Sequence, residues 1–210
     1  SSDEIWFRGR ATGAKSLYIE SVDSNAWVFS GNSSNKLHVY GDLRYLLCDN
    51  LGDNTITFNI ASYCFSYMFS GCTSLTTAPS LPATTLVDSC YFNMFRDCIS
   101  LTTAPSLPAT TLAKYCYYFM FSGCTSLTTV PSLPATTLAN FCYTSMFNGC
   151  TSLKVSATKT GSYQYSWRIP TSGTGTTASL WNENMLKNTG GTYTSNPLID
   201  TTYYVENPPV

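Results

Sequence analysis

The sequence predicts an α/β repeat fold: a stack of similar coils, each with one short parallel strand and one short helix. Three observations lead to this prediction. A motif recurs every 26 residues, each copy contains a strand pattern followed by a helix pattern, and most cysteines keep the same period. A fixed period of roughly 20–50 residues is typical of proteins built from stacked repeats.

The repeated motif reads SLTTAPSLPATTL and lies within residues 73–86, 99–112 and 125–138, with Val130 in one alanine position. The first part is rich in threonine and ends at a proline, as in a short strand. Because proline donates no backbone hydrogen bond, we expect Pro79, Pro105 and Pro131 at or beyond strand ends. Equivalent strands should pair in parallel, so that equivalent side chains stack. The stacked side chains would include Leu75, Leu101, Leu127, Leu153, Met68, Met94, Met120, Met146, Phe69, Phe95, Phe121 and Phe147.

The second part of each copy predicts a helix of about three turns, because its apolar residues are four apart. In the first copy these residues are Leu86, Cys90, Met94 and Cys98. Thr84 or Thr85 would cap the start of this helix, and a glycine before the second cysteine would cap its end. Asp97 replaces that glycine in the second copy.

Eight of the nine cysteines form two series with the 26-residue step, and Cys48 lies outside both. The series are Cys64, Cys90, Cys116, Cys142 and Cys72, Cys98, Cys124, Cys150. Because cysteine packs as a small hydrophobic side chain, we expect columns of buried thiols. Disulfides are the main alternative, and the spacing does not match a zinc motif.

The two ends depart from the period. Residues 1–60 contain alternating apolar and polar segments and predict an N-terminal β-rich cap. Residues 61–155 hold the repeats. Residues 156–210 predict a C-terminal cap or a small module reached by a linker, with a short helix over 178–188 and a strand over 201–205.

The segment MFSGCTSL at 68–75, followed by Pro79 and by the Leu-Pro pair at 81–82, resembles the BspA-like leucine-rich repeat. The variant with LPATT is similar to a subgroup in exported proteins of anaerobic gut bacteria. The resemblance implies a right-handed leucine-rich-repeat solenoid, an extracellular or outer cell-surface location and adhesion to a protein or host matrix. Ala78, Ala104 and Val130 stand where the family often has isoleucine.

Charge narrows the classes of partner. Charged residues make up 11% of the chain, and the net charge is −1 with no basic run. We therefore expect no nucleic-acid partner. No stretch of about 18 apolar residues occurs, which predicts no transmembrane segment.

The sequence offers no convincing catalytic set, and we expect no enzyme, cofactor or metal site. His38 is the only histidine and lies in an alternating segment. Asp88 and Asp97 are the only acids in the repeats and do not recur. The acids Asp42, Asp49 and Asp53 lack the calcium-loop pattern. The segment GTGTTA at 173–178 lacks the strand that a dinucleotide site needs before it.

The repeated threonine pairs are the candidate binding residues. They are Thr76, Thr77, Thr102, Thr103, Thr128 and Thr129. One hydroxyl of each pair should face outward, although threonine also simply favours strands. The sequence predicts a non-enzymatic recognition or adhesion protein. The alternatives are a carbohydrate-binding module, for which exposed tyrosines such as Tyr117, Tyr118 and Tyr143 would stack on sugars, and a rigid spacer in a surface or phage-tail-like fibre.

Overall fold

The computed structural model describes residues 37–38, 62–63 and 65–210. Five strands lie in this part of the chain, and none of its residues lies in a helix. The strands are β1 (Leu37–His38), β2 (Leu75–Thr77), β3 (Val155–Ser156), β4 (Tyr165–Arg168) and β5 (Thr202–Val205). Apart from β1, the strands predicted in residues 1–60 lie outside the described residues.

Runs of overlapping β-turns replace the predicted helices. These turn runs cover residues 62–63 with 65–71, and residues 88–97, 114–123, 140–149 and 179–188. Within a run, every second N–H donates to the carbonyl three residues earlier, as Phe92 does to Ser89 at 3.2 Å. Every fourth residue is left-handed: Ser89, Asn93 and Asp97 have φ values of 57°, 54° and 59°. Turns whose third residue is left-handed therefore alternate with turns whose third residue is not left-handed.

The other N–H groups of each turn run donate to the following run. Tyr91 N–H donates to Cys116 O at 3.1 Å, and Phe95 N–H donates to Met120 O at 2.9 Å. Five such bonds cross each of the four junctions between successive runs, and all of them point toward the C-terminal side. The backbone of the turn runs is thus satisfied half locally and half by the next copy.

The predicted helix is therefore wrong, and so is the right-handed leucine-rich-repeat solenoid of strands and helices. An α-helix needs φ near −63° at every residue and keeps its hydrogen bonds within itself. The rings of Phe69 and Phe95 lie 5.5 Å apart, and those of Phe95 and Phe121 lie 5.6 Å apart. Helices about 10–12 Å in diameter cannot stack at that spacing.

The four-residue spacing that suggested a helix has a second structural origin. Two successive turns advance the chain by four residues, so Leu86, Cys90 and Met94 return to the same side without drift. On an α-helix a four-residue step overshoots one turn by about 40°. The interval of four, kept without correction through each copy, fits the turn run better.

We call residues 65–86, 87–112, 113–138 and 139–155 coils 1 to 4, and residues 176–190 coil 5. Coil 5 is missing from the 26-residue period, because an insertion separates it from coil 4. Its turn run nevertheless repeats the pattern, with left-handed Leu180, Asn184 and Asn188. Phe147 N–H donates to Met185 O of this coil at 3.0 Å. The helix predicted over 178–188 is therefore wrong.

The predicted stacking of equivalent side chains is confirmed. The leucine, methionine and phenylalanine columns are buried, and the four leucines are 0% exposed. Left-handed glycines also stand where caps were predicted, with φ of 75° at Gly71 and 76° at Gly123. Their conformation was inferred correctly, although they end turn runs rather than helices.

Strand pairing is more limited than predicted. β1 pairs in parallel with β2, with Leu37 opposite Leu75. Thr77 ends β2, so Pro79 lies beyond the strand as expected. The equivalent segments in coils 2 and 3 do not form strands. Parallel contacts between copies occur instead as isolated bridges that link Thr85, Thr111, Thr137 and Thr176 in order.

The chain after coil 4 forms a three-stranded antiparallel sheet in the order β3-β5-β4. Trp167 of β4 lies opposite Tyr203 of β5, and the side chains of both are buried. Trp167 contacts Phe147 of coil 4 edge-on, with ring centroids 6.4 Å apart. The strand predicted over 201–205 is confirmed by β5. Within the described residues there is no helix that has the length and apolar character to cross a membrane.

Candidate functional site

The predicted threonines lie along one side of coils 1 to 3, and we call them the threonine face. Thr102, Thr103 and Thr128 are exposed, and the other three are half-buried. The face therefore presents hydroxyl groups to solvent, mostly from coil 2. It follows the segments that were predicted as strands, of which only β2 is one.

Coils 2 and 3 are closed against each other at this face. Thr128 donates to Thr102 O through both its N–H, at 3.0 Å, and its Oγ1, at 3.1 Å. Ala104 N–H donates to Thr129 Oγ1 at 2.9 Å. Three hydrogen bonds thus use backbone and hydroxyl groups that point into this junction.

Coils 1 and 2 are open at the equivalent place. The three corresponding bonds, such as Thr102 N–H to Thr76 O, are not formed within the described part of the chain. A crevice of about 200 Å³ occupies the gap. Its lining carries no charge and consists of Thr76, Thr77, Ala78, Thr102, Thr103, Ala104 and Pro105.

The free groups in this crevice come from coil 2. In the part of the chain that the structure describes, Thr103 forms no hydrogen bond, and the N–H and hydroxyl of Thr102 have no acceptor. Exposed hydroxyl and N–H groups of this kind exchange water for a neutral polar ligand at little electrostatic cost. The geometry therefore suits an uncharged ligand with both donors and acceptors.

The opposite side of coil 3 is already occupied by residues 207–210, which we call the tail. Asn207 Nδ2 donates to Thr128 O at 3.1 Å. Val210 N–H donates to Val130 O at 3.0 Å, and Ser132 N–H donates to Val210 O at 2.8 Å. The side-chain amide of Asn207 and the backbone of Val210 thus pair with the backbone of one copy of the motif.

A row of half-exposed aromatic rings lies on the outside of the turn runs, and sequence reasoning missed it. Phe92 and Tyr118 stack at 5.0 Å with planes 9° apart, and Tyr115 stacks on Phe141 at 4.7 Å. Of the tyrosines proposed for sugar binding, Tyr117 and Tyr143 are buried in the core and only Tyr118 is half-exposed. The signal in the sequence was an aromatic residue directly after the buried one in successive copies.

The seven described cysteines are buried and form no disulfide with one another. Cys98, Cys124 and Cys150 of the second series donate to the preceding coil, as Cys124 Sγ does to Phe95 O at 3.0 Å. Burial raises the pKa of Cys142 and Cys150 to about 12. These thiols are therefore poor nucleophiles and act as packing groups. Cys48 and Cys64 lie outside the described residues.

The other groups considered for chemistry have structural partners. Asp88 Oδ1 accepts the N–H of Lys114 at 3.0 Å, and Asp97 pairs with the neighbouring Arg96 at 3.4 Å. Gly175 N–H donates to Asp200 at 3.1 Å, which anchors the loop at 173–178. Among residues 37–38, 62–63 and 65–210, no group of three or more histidine, cysteine or acidic side chains is placed to hold a metal ion. His38 lies on β1, and Asp42, Asp49 and Asp53 are not described.

Comparison of the chain with protein-family models, with curated proteins and with solved structures finds no match. The resemblance of the repeated motif to BspA-like repeats stays a prediction.

Proposed function

We propose that this protein is a non-enzymatic recognition protein of the cell surface or the extracellular space. In this proposal it binds a protein or matrix partner through the threonine face. The observation that carries the proposal is the uncharged crevice between coils 1 and 2, where the N–H and hydroxyl of Thr102 and the hydroxyl of Thr103 have no hydrogen-bond partner among the residues that the structure describes. The BspA-like motif in the sequence points in the same direction.

The row of half-exposed aromatic rings on the outside of the turn runs supports a protein partner over a glycan. Sugars stack on the exposed face of an aromatic ring, but Phe92 and Tyr118 turn their faces toward each other. Tyr115 and Phe141 do the same. These rings therefore present mainly edges to solvent, which suits packing against apolar side chains.

Binding of the purified chain to a panel of extracellular-matrix proteins and to a glycan array tests this function. We expect at least one matrix protein to bind, and we expect its affinity to change little between low and high salt because the face is uncharged. Binding confined to glycans would favour the carbohydrate-binding alternative. Turnover of a polymer by the purified chain would contradict a non-enzymatic role.

The spacer alternative makes a different prediction. A structural unit of a fibre should associate with itself as the concentration rises, whereas a recognition protein need not. Sedimentation velocity over a hundredfold range of concentration separates the two. Concentration-dependent growth of the sedimentation coefficient, without binding to any matrix protein, would favour the spacer.

A further inference from the structure

Two junctions between copies of the motif differ although the copies are nearly identical in sequence. Coils 1 and 2 share the letters SLTTAPSLPATTL, yet among the described residues the three bonds that close the junction of coils 2 and 3 have no equivalent between them. Among the described residues, the N–H and hydroxyl of Thr102 and the hydroxyl of Thr103 form no hydrogen bond at this open junction. A third arrangement occurs at the threonine segment of coil 3. There the tail, and not the equivalent segment of coil 4, bonds to Thr128 O and Val130 O.

The tail shows what kind of segment the motif binds. Its Pro208 and Pro209 favour an extended backbone at the residues before them. The described contacts of its Asn207 and Val210 with coil 3 use one side-chain amide and backbone groups. Thr128 O, which accepts the amide of Asn207, corresponds by the 26-residue period to Thr102 O, which accepts Thr128 in the closed junction. A carboxamide from another segment thus substitutes for the next copy of the motif.

We propose that the crevice between coils 1 and 2 binds one extended, uncharged peptide segment with a side-chain amide, supplied by the protein partner. This inference rests on the proposed function and names the chemistry of its partner. A peptide carbonyl accepts from both the N–H and the hydroxyl of Thr102, as Thr102 O accepts from both groups of Thr128 in the closed junction. The side-chain amide of the peptide pairs with the hydroxyl of Thr103. The pairing of backbone groups supplies affinity, and the uncharged lining excludes acidic and basic segments.

The probe is an array of acetylated and amidated ten-residue peptides without charged side chains, together with the chain's own tail, residues 207–210, capped in the same way. Each peptide with asparagine or glutamine has a partner in which that residue is aspartate or glutamate. We expect amide-bearing peptides to bind and their acidic partners to fail, because the uncharged crevice offers no cation to offset the water that a carboxylate would lose. Shifts of the Thr102 and Thr103 amide signals in NMR spectra locate the binding.

Matched variants separate the crevice from the rest of the surface. Thr102→Val and Thr103→Val remove a hydroxyl at constant shape, and each should weaken binding about fivefold, the equivalent of one neutral hydrogen bond. Thr103→Phe should fill the crevice and abolish binding. Thr110→Val, at an exposed threonine of coil 2 outside the crevice, should leave affinity unchanged. Unchanged thermal unfolding shows that each variant is folded.

The outcomes distinguish this inference from the proposed function. A matrix protein that binds wild type and the two valine variants equally overturns the crevice as its site and leaves the proposed function standing. Peptides that lose affinity in the variants, without binding of any matrix protein, support the crevice and contradict the proposed function. Equal binding of amide and acidic peptides, or no binding of any peptide, overturns the inference. Tail-dependent dimers would identify a second copy as the occupant and also overturn it.

Discussion

Buried thiols show how single residues serve this fold. The cysteine columns lie at 0% exposure, and Cys98, Cys124 and Cys150 each donate to a carbonyl of the coil before them. A thiol is small enough to fit between stacked coils and still satisfies a buried acceptor. The cysteines therefore combine packing with a hydrogen bond.

The raised thiol pKa values predict that stability falls in alkali. The thiol of Cys150 titrates near pH 9 when exposed, and burial raises its pKa to about 12. Its contribution is complete below pH 9 and is lost as pH rises toward 12, by about 1.4 kcal/mol per pH unit. Cys150→Ser keeps a donor for Phe121 O but does not ionise. Urea unfolding at pH 8, 9 and 10 should show a shallower decline for this variant.

A matched variant checks the specificity of that effect. Ser166→Ala removes an exposed hydroxyl that does not ionise and should leave the pH dependence of unfolding as in wild type. Parallel curves for wild type and Cys150→Ser would contradict the account.

At the scale of the element, the turn run depends on left-handed residues that are not glycine. Each costs roughly 1–2 kcal/mol of backbone strain unless the side chain tolerates that region, as asparagine and aspartate do. Ser89, Asn93 and Asp97 occupy these positions in coil 2, whereas coil 3 has Tyr115 and Phe119. The hydrogen bonds to the next coil and the stacked aromatic rings offset this strain.

Coil 5 offers a place to relieve the strain. Leu180 is left-handed with φ of 49° and is 50% exposed, so its side chain contributes little packing. Leu180→Asn should raise the free energy of unfolding by about 0.5–1 kcal/mol, because asparagine tolerates this conformation. Urea unfolding measures the change. Leu198→Asn, at a residue 65% exposed and without left-handed φ, should give no gain, and a loss in Leu180→Asn would contradict the interpretation.

At the scale of the whole molecule, β4 and the tail bind the coils together. Trp167 Nε1 donates to Pro131 O of coil 3 at 3.1 Å, and its ring packs on Phe147 of coil 4. The tail adds the bonds of Asn207 and Val210 to coil 3. The chain after coil 4 therefore covers a side of coil 3 that would otherwise expose backbone groups.

This arrangement predicts that a change in β4 destabilises the coils as well. Trp167 is 2% exposed, and Trp167→Ala should lower the free energy of unfolding by about 3–5 kcal/mol. Denaturant unfolding followed by far-ultraviolet circular dichroism should show the whole transition shifted. Ser166→Ala, at the exposed neighbour on β4, should change little. Loss of β4 signals alone, with unchanged unfolding of the coils, would contradict the prediction.

The repeat period predicted the packing of side chains correctly, whereas two predictions of local backbone structure failed. Burial of Leu101, Met94 and Phe95 followed from the period, because identical residues at equal intervals must pack against one another. The helix failed because an interval of four suits both a helix and a turn run, and only the destination of alternate N–H groups separates them. Coil 5 was missed because it lies off the 26-residue period, although Leu180 and Asn184 share the left-handed conformation of the earlier coils.

The sequence by itself determined the period and the buried columns, since these depend on residue type and spacing. The expectation that one threonine of each pair faces outward fits coil 3 only, because both threonines of coil 2 are exposed and both of coil 1 are half-buried. Only the tertiary structure decided which threonines bond to a neighbouring coil and which can bond to a ligand. Thr102 and Thr128 stand in the same motif, yet the N–H of Thr128 closes a junction and that of Thr102 opens onto a crevice. The physical reason is that a hydrogen bond depends on the position of its partner, and nearly identical segments acquire different partners according to the coils on either side of them.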